Sequence, residues 1–473
     1  MPLDITAFID GTPRDAAPAL EQRNPADLDE VVTRLPESGA GFVAEAAAAA
    51  RAALPALAPI EARADALERV GGALAAEVAD LAALITRETG KTITDAAGEV
   101  MRASRLFRFF SGEGLRIVGE RFDSVRPGVT VEVAYEPVGV VGAITPWNFP
   151  IAIPAWKIAP AIAFGNAVVW KPSEHATATA AAIMRIIAGA GLQAGAVNLV
   201  PGAGETGAAL VEDTAIDAIS FTGSETTGRG VRMAAATRGA RVQAEMGGVN
   251  GLVILADADL DLATETLVNG AFFAAGQRCT ATSRVIVDES VADALIERVK
   301  ARVARLKVGD PADKATEVGP LVSAKQKAGV VAGIEAMRRA GRQAVVAGRA
   351  DAPACFVDPV LFDRASPGDL VAREEVFGPV AGLIRVAGYD EALAVLNDVR
   401  FGLCAGICTT SLKYAEHFKR NARVGMVMIN LPTAGVDYHA PFGGMKASSY
   451  GAREQGRAAR EFFTVTKTVY QRP

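Results

Sequence analysis

Cysteine and histidine are scarce in this chain of 473 residues. The four cysteines are too few and too scattered for a disulfide framework, which favours a reducing cytoplasm as the location; they are Cys279, Cys355, Cys404 and Cys408. The three histidines, His175, His417 and His439, supply no ligand spacing typical of a metal site. We therefore expect no metal.

Targeting and membrane signals are also missing. The N-terminus has no basic segment followed by an apolar core, and no uncharged apolar window reaches the ~18–20 residues that span a bilayer. The net charge is −5, and the basic residues between 298 and 307 alternate with apolar ones at helical spacing. We expect a soluble cytoplasmic protein with neither a membrane nor a nucleic-acid partner.

The length of the chain exceeds the ~250–300 residues at which a single core stops growing, so two large domains are expected. Helical spacing dominates up to residue 110, including one helix over 61–92. Short apolar strands then alternate with helices over 138–221 and again over 252–306. This alternation predicts an α/β fold with two doubly wound parallel sheets, whose boundary lies near Gly247-Gly248.

Two further segments alternate in the manner of exposed strands. They are residues 129–136, which follow the turn Arg126-Pro127-Gly128, and residues 463–470. Because bare strand edges favour association, we expect these strands to pair with each other or with another subunit.

No Gly-x-Gly-x-x-Gly fingerprint follows the first predicted strand. Instead, the stretch from Phe221 through Thr222, Gly223, Ser224 and Thr227 links a strand to a helix, and its backbone N–H groups could meet a pyrophosphate. A capped turn without a ligand is an equally good interpretation of this stretch alone.

The tetrapeptide Lys171-Pro172-Ser173-Glu174 follows another predicted strand. Its lysine could reach a ribose or phosphate, and its carboxylate could hold ribose hydroxyls and repel a 2′-phosphate. An exposed turn with an ion pair explains the tetrapeptide equally well.

The chemistry concentrates around Gly276-Gln277-Arg278-Cys279. A lone cysteine is more often a small buried hydrophobe than a nucleophile. However, Glu245 and Asn148 also lie in glycine- or proline-marked turns, so a thiol, a carboxylate and an amide together outline an acyl-transfer site.

Seven motifs follow one another in the order found in the aldehyde dehydrogenase superfamily, which this chain resembles over nearly its whole length. They are Thr145-Pro146-Trp147-Asn148-Phe149-Pro150, Lys171-Pro172-Ser173-Glu174, Phe221-Thr222-Gly223-Ser224, Glu245-Met246-Gly247-Gly248, Gly276-Gln277-Arg278-Cys279, Glu375-Val376-Phe377-Gly378-Pro379 and Pro441-Phe442-Gly443-Gly444.

The resemblance implies an NAD-binding domain (residues 1–118 and 138–247), a catalytic domain (248–440), and an oligomerisation flap with a C-terminal arm (119–137 and 441–473). It implies a homodimer or homotetramer that oxidises a small-molecule aldehyde with NAD, with NADP as the alternative cofactor. Glu174 favours NAD, and Glu245 favours hydrolysis of the acyl-enzyme over transfer to coenzyme A.

The resemblance also assigns roles to residues. The catalytic set is Cys279 as nucleophile, Glu245 as general base, Asn148 with the Cys279 backbone N–H as oxyanion site, and Lys157 in proton movement. The cofactor contacts are Thr145, Pro146, Trp147, Lys171, Ser173, Glu174, Gly204, Phe221, Thr222, Gly223, Ser224, Thr227, Gly247, Glu375 and Phe377. The substrate would be lined by Arg278, His439 and Phe442.

Residues 430–456 resemble bacterial α-ketoglutaric semialdehyde (2,5-dioxopentanoate) dehydrogenases, although Met445, Ala447 and Ala452 depart from that group's pattern. Succinate and glutarate semialdehydes are the alternative substrates. Two hypotheses from other classes remain: a thiol hydrolase that uses Cys279 with His439, and a family member that binds nucleotide without catalysis. Arg278 could pair with a substrate carboxylate or lower the pKa of the thiol, or it could be structural.

Overall fold

A computed structural model describes residues 1–57 and 59–473. The strands in this described part are β1 Leu3–Asp4, β2 Ala7–Ile9, β3 Thr12–Arg14, β4 Leu20–Asn24, β5 Asp27–Leu35, β6 Glu120–Asp123, β7 Thr130–Pro137, β8 Val140–Ile144, β9 Ala167–Lys171, β10 Val197–Leu199, β11 Ala218–Gly223, β12 Arg241–Met246, β13 Asn250–Ile254, β14 Thr282–Asp288, β15 Gln343–Ala347, β16 Val360–Asp363, β17 Val380–Val386, β18 Phe401–Gly402, β19 Cys404–Cys408, β20 Met426–Ile429, β21 Met445–Lys446, β22 Ser449–Tyr450 and β23 Thr464–Gln471.

The α-helices of the same residues are α1 Gly39–Ala53, α2 Ile60–Ala76, α3 Val78–Thr89, α4 Ile93–Gly114, α5 Ala152–Ala163, α6 Thr177–Ala188, α7 Gly204–Glu212, α8 Glu225–Thr237, α9 Leu260–Phe272, α10 Glu289–Val303, α11 Ala324–Arg339, α12 Leu370–Arg373, α13 Tyr389–Asn397, α14 Leu412–Asn421 and α15 Arg460–Phe463. Short 3-10 turns occupy Leu54–Leu57, Glu174–Ala176, Phe273–Gly276 and Gly456–Ala459.

The first large sheet has eight strands in the order β22-β12-β11-β8-β9-β10-β2-β3. Its central strands β12, β11, β8, β9 and β10 run parallel, and β22, β2 and β3 are antiparallel additions at its two sides. Buried apolar residues of these strands and of the flanking helices form one continuous core. The predicted alternation of strands and helices is confirmed for this sheet.

The second large sheet has seven strands in the order β15-β16-β17-β14-β13-β19-β20, all parallel except β15. Two apolar clusters cover its faces. Gly247 and Gly248 connect β12 of the first sheet with β13 of the second, at the predicted boundary. The predicted α/β class with two parallel-strand sheets is therefore confirmed, whereas the assignment of functions to the domains stays a prediction.

Two elements differ from the sequence-based expectation. The single helix predicted over 61–92 is wrong, because the chain breaks at Glu77 (φ −100°, ψ 19°) into α2 and α3. Strand β12 was not predicted, because its buried residues include the polar Gln243 and Glu245, which hide an apolar strand pattern.

The two alternating segments do pair with each other. Strand β23 runs antiparallel to β7 from Thr464 opposite Pro137 to Gln471 opposite Thr130, and β6 adds the third strand. Val465, Val469 and Tyr470 are exposed along β23. The C-terminal segment also returns to the first large sheet, since β22 pairs with β12, while β21 forms a separate two-stranded sheet with β18.

One segment, Gly39–Leu57, is long and apolar enough to cross a membrane by length and composition alone. It carries Glu45 and Arg51, and α1 buries Val43, Ala46, Ala47, Ala50 and Ala53 in the first core. A buried core helix passes the same test, so the segment is weak evidence for a membrane span.

Candidate active site

A left-handed turn delivers Cys279 to the site. After α9, the residues Ala274, Ala275 and Gly276 have φ values of 54°, 51° and 67°. A side chain at Gly276 would collide with the carbonyl oxygen of Gly378, so this position needs glycine both for its φ and for its space. Positive φ at two alanines costs free energy, and strain of this kind is concentrated at functional sites.

Cys279 lies where two cavities of 680 Å³ and 420 Å³ meet. Three further residues line both cavities: Ile153, Trp156 and Phe442. The rings of Trp156 and Phe442 stack with centroids 5.3 Å apart. The thiol is therefore accessible from two directions, through a neck with apolar walls.

The larger cavity gathers most of the predicted nucleotide and catalytic residues. Those that line it are Pro146, Trp147, Asn148, Thr222, Gly223, Ser224, Glu245, Gly247, Glu375 and Phe377. Ser224 caps α8 by accepting a hydrogen bond from the Thr227 backbone N–H (3.3 Å), so the positive end of that helix adjoins the cavity. This geometry fits the phosphates of a dinucleotide.

Other predicted residues lie behind this cavity rather than along it. Thr145 accepts a hydrogen bond from the indole of Trp170 (2.9 Å), and Thr227 pairs with the Ser224 hydroxyl. Phe221 is buried beneath Gly223 and Gly228. These side chains hold the walls in place.

The Lys171 group forms a separate cluster. Its ammonium donates to the carbonyl oxygens of Pro172 (2.9 Å) and Gly202 (2.8 Å), beside the start of α7 at Gly204. Burial lowers the pKa of Lys171, while Glu174 and Glu37 raise it. Ser173 donates to Glu174 at 3.3 Å.

Glu37 was missed by the sequence analysis. It accepts from the Ala203 and Thr206 backbone N–H groups at the start of α7 (2.9 Å each). No local motif marks it, because its partners are more than 160 residues away in the chain.

The smaller cavity contains the predicted Arg278 and Phe442, together with Lys91, Asp95, Glu99 and Arg102. His439 lines neither cavity; it is exposed and its ring packs against Tyr438. The structure does not support the prediction that His439 lines the substrate, because the loop turns it outward while its neighbour Val436 reaches the cavity.

Asn148 follows β8 and is buried. Its amide nitrogen donates to the Gln277 carbonyl oxygen at 3.0 Å, two residues before Cys279. The Asn148 amide, which follows a strand of the first sheet, is thus in direct contact with the segment that carries Cys279, which precedes a strand of the second sheet.

Glu245, on β12, is buried and shares a polar network with Lys157 on α5. Ser449 donates to its Oε2 at 2.5 Å, and its Oε1 has no hydrogen-bond partner among the described residues. Burial raises the pKa of Glu245 well above its usual range, and the neighbouring Glu454 raises it further. Such a carboxylate binds a proton more readily than an exposed one.

Glu454 is the member of this network that the sequence analysis missed. It is buried, and its carboxylate pairs with the Lys157 ammonium, which also donates to Ser220 (2.9 Å). Glu454 reaches the site from the segment between β22 and α15, almost 300 residues beyond Lys157, so no spacing could have revealed it.

The electrostatic surroundings of Cys279 oppose ionisation. Burial raises the pKa of its thiol, and Glu375 and Glu245 raise it further, while its own backbone N–H lowers it. Glu375 accepts from the Gly248 backbone N–H at 2.8 Å, and a side chain at Gly247 would collide with it. Phe377, with φ 54°, packs edge-on against Trp147 with centroids 5.5 Å apart.

The two sheets face the site with opposite ends. Asn148 and Ser224 follow strands of the first sheet, whereas Cys279 and Glu375 precede strands of the second. The general rule places ligands at the carboxyl ends of parallel strands, and only the first sheet follows it here.

Two sheets of mainly parallel strands thus meet at a thiol and a buried carboxyl beside a cavity of 680 Å³. The chain belongs to the aldehyde dehydrogenase family, whose sequence model matches residues 12–469. It is 39% identical over 458 residues to an alpha-ketoglutaric semialdehyde dehydrogenase of Bacillus subtilis, covering 95% of this chain and 94% of that one.

Solved structures agree with this membership. An NAD-dependent aldehyde dehydrogenase from Sinorhizobium meliloti superposes with a TM-score of 0.96 at 32% identity, covering 99% of this chain and 95% of the other. A betaine aldehyde dehydrogenase from Staphylococcus aureus in complex with NAD+ gives 0.95 at 30% identity, again covering 99% and 95%. Among the described residues, no group of three His, Cys, Asp or Glu side chains is placed to hold a metal ion.

The carboxyl of Glu375 makes stability depend on pH. Burial raises its pKa to about 7, above the usual 4.5, although the Gly248 N–H and Arg400 lower it. Between these two values the folded state binds more protons than the unfolded state, so stability falls as pH rises through this window. We expect Glu375→Gln to melt at a higher temperature relative to wild type at pH 8 than at pH 5, by calorimetry. An exposed control, Glu374→Gln, should show no such trend, and a pH-independent difference for Glu375→Gln would contradict the prediction.

Proposed function

We propose that this aldehyde dehydrogenase oxidises a small ω-semialdehyde to its carboxylate with NAD, through a thiohemiacetal and then a thioester on Cys279. The observation that carries the proposal is the position of Cys279 at the junction of the two cavities, with Glu245 lining the larger one. The smaller cavity would hold the aldehyde and the larger one the nicotinamide.

In the first step the Cys279 thiol would release its proton to solvent in the cavities, and the resulting thiolate would attack the aldehyde carbon, whose carbonyl oxygen becomes an oxyanion. The Asn148 amide and the Cys279 backbone N–H would stabilise it, and each such donor is typically worth ~2.7–4 kcal/mol. The Asn148 amide donates to the Gln277 carbonyl oxygen, so it is held close to Cys279. Bound NAD supplies a hydride acceptor, and loss of the hydride from the tetrahedral carbon leaves the acyl group on Cys279.

In the second step Glu245 would remove a proton from water, and the resulting hydroxide would attack the thioester carbon. The tetrahedral intermediate then releases the carboxylic acid, which gives its proton to the leaving thiolate and becomes the carboxylate product. Its free Oε1, which has no partner among the described residues, is the acceptor available for that proton. Burial raises the pKa of Glu245, but the nearby Lys157 ammonium lowers it and would favour release of that proton from Glu245. The raised pKa of Glu245 suits a base that must accept a proton near neutral pH.

Two variants test the covalent mechanism. Cys279→Ser should lose nearly all oxidation. Glu245→Gln should give a burst of one reduced nicotinamide per site and then slow turnover, by about 10²–10⁴-fold, because thioester formation no longer leads to hydrolysis. Stopped-flow absorbance of the reduced nicotinamide measures both. Full activity in Cys279→Ser, or normal steady-state turnover in Glu245→Gln, would overturn the respective assignment.

The choice of NAD over NADP would rest on the cluster around Lys171. Glu174 and Glu37 both lie close enough to Lys171 to raise its pKa, so this corner carries two carboxylates against one buried ammonium. A 2′-phosphate placed there would meet net negative charge.

Neutralising Glu174 should weaken that discrimination. We expect Glu174→Gln to raise the NADP-to-NAD ratio of kcat/KM by roughly 10-fold, which corresponds to about 1.4 kcal/mol of relieved repulsion. The exposed Glu212→Gln at the end of α7 serves as the charge-matched control. An unchanged ratio in Glu174→Gln would remove this residue from the account of specificity.

The charged side chains that line the smaller cavity favour binding of an aldehyde that carries a negative charge. Glu99 is already engaged by Lys91 and by the backbone N–H groups of Ile151 (2.9 Å) and Ala152 (3.0 Å). Asp95 lies 3.7 Å from Arg278. Arg102 has no ion-pair partner in the part of the chain that the structure describes. Burial lowers the pKa of Arg278, and the nearby Arg102 lowers it further. This unpaired guanidinium can bind the distal carboxylate of a semialdehyde.

The similarity to an alpha-ketoglutaric semialdehyde dehydrogenase points to that substrate within the class, with succinate and glutarate semialdehydes as alternatives. A cationic aldehyde such as betaine aldehyde would meet like charge at Arg102 and Arg278. We therefore place the substrate among carboxylate-bearing aldehydes.

Arg102→Gln separates charge recognition from general damage. It should raise KM for α-ketoglutaric semialdehyde by roughly 10-fold or more, and leave kcat/KM for uncharged propanal within about threefold, because only the anionic substrate loses a charge-assisted partner. Arg105→Gln, on the exposed face of the same helix, is the control. An equal loss with both aldehydes would contradict carboxylate recognition by Arg102.

A thiol hydrolase is disfavoured because His439 is exposed and lines neither cavity that contains Cys279. A non-catalytic family member is disfavoured by the presence of Asn148, Glu245 and Cys279 around one cavity. Production of reduced nicotinamide from a semialdehyde distinguishes both from the proposed activity.

We also propose that the protein acts in the cytoplasm as a homodimer or homotetramer. The exposed apolar residues on β23, at the edge of the three-stranded sheet, support association through that sheet.

A further inference from the structure

Two carbonyl groups of the segment 279–281, which begins with the reactive cysteine, are held by one side chain. The amide nitrogen of Asn250 donates to the carbonyl oxygens of Cys279 (2.8 Å) and Ala281 (2.9 Å). The Cys404 thiol lies 3.7 Å from the carbonyl oxygen of Thr280 between them. The backbone that carries the thiol is therefore fixed from the side of β13 and β19.

Asn250 also ties this segment to a third strand. Its amide oxygen accepts from the Cys404 backbone N–H at 3.2 Å, at the start of β19. Asn250 is buried, and its side-chain amide is fully hydrogen-bonded. The NH₂ group donates to two carbonyl oxygens, and the amide oxygen accepts from one backbone N–H.

The position of Asn250 in the sheet explains why a side chain, rather than the backbone, makes these hydrogen bonds. It is the first residue of β13, and the pairing of β13 with β14 shifts register between Asn250 and Gly251. The pairing of β13 with β19 begins only at Gly251. The side-chain amide of Asn250 thus continues the hydrogen bonding of the sheet one residue beyond the regular strand pairing, as far as Cys279.

The neighbouring backbone leaves room for this amide. A side chain at Gly248 would come within 2.8 Å of the Asn250 amide oxygen and 2.9 Å of the Cys279 carbonyl oxygen. Glycine at position 248 therefore lets the connection between β12 and β13 pass close to the hydrogen bond between Asn250 and Cys279.

We propose that Asn250 is a positioning residue that fixes the peptide plane between Cys279 and Thr280, and so the backbone angle ψ of Cys279 and the direction of its thiol. The inference rests on the proposed role of Cys279. Aspartate lacks the two donors, serine offers one short donor, and alanine none, so none of these can hold both carbonyls.

The chain offers a matched control at Asn166. This buried asparagine donates to the carbonyl oxygens of Ala161 (3.1 Å) and Phe463 (3.0 Å) and accepts from the Gly139 N–H (3.0 Å), so it has the same three kinds of partner. Its partners all lie away from Cys279, so replacing it carries a similar structural loss without touching the thiol segment.

The experiment compares Asn250→Ser with Asn166→Ser in the full-length enzyme. Alkylation by iodoacetamide is followed against pH, with the modified peptide identified by mass. The other three cysteines are buried, so Cys279 should dominate the reaction. Melting temperature, kcat and KM are measured on the same preparations.

Both variants should melt at lower temperature. Only Asn250→Ser should shift the pH midpoint or rate of Cys279 alkylation and lower kcat, by about 10- to 100-fold, with a smaller change in KM, because a small misplacement of a reacting group costs this much. A wild-type alkylation profile and kcat in Asn250→Ser, or equal changes in Asn166→Ser, would overturn the inference. If Asn250→Ser cannot be purified folded, Asn250→Asp is measured in the same way and judged by the same two outcomes.

Failure of the inference is distinguishable from failure of the proposed function. Cys279→Ser reports whether oxidation needs the thiol at all. The alkylation profile reports whether Asn250 sets the thiol's reactivity, and it requires neither aldehyde nor nucleotide.

Discussion

The constraint on which the site depends is the shortage of positive charge around buried acids. The thiol of Cys279 and the carboxyls of Glu245 and Glu375 all have raised pKa values, and burial is the first cause for each. Ionising one of them makes ionisation of its neighbours more costly. These surroundings therefore favour a state in which few of the three groups are charged at once.

The architecture brings these acids together by placing unlike ends of two sheets against each other. The first sheet contributes turns after its strands, where helix α8 presents its N-terminus to the larger cavity. The second sheet contributes segments before its strands, and the thiol segment enters through consecutive left-handed residues. A dinucleotide and an aldehyde can thus approach one sulfur atom from opposite sides.

Much of this could be predicted from the sequence where the signal is local. The strand and helix alternation gave the α/β class, and glycine- or proline-marked turns located Asn148, Glu245 and Cys279. Glu37, Asn250 and Glu454 could not be found in that way, since each acts through partners distant in the chain. Strand β12 was missed for a related reason, because its polar residues are buried for the site rather than exposed to water. His439 is exposed and lines neither cavity, and its predicted contact with the substrate stays a prediction.

The late position of Glu454 in the chain has a consequence for synthesis. Domains form from the N-terminus onward as the chain leaves the ribosome. Both large sheets can be nearly complete before Ser449 and Glu454 emerge, so the nascent protein carries its thiol before the partners of Glu245 are in place. During that interval the cysteine lacks its finished surroundings.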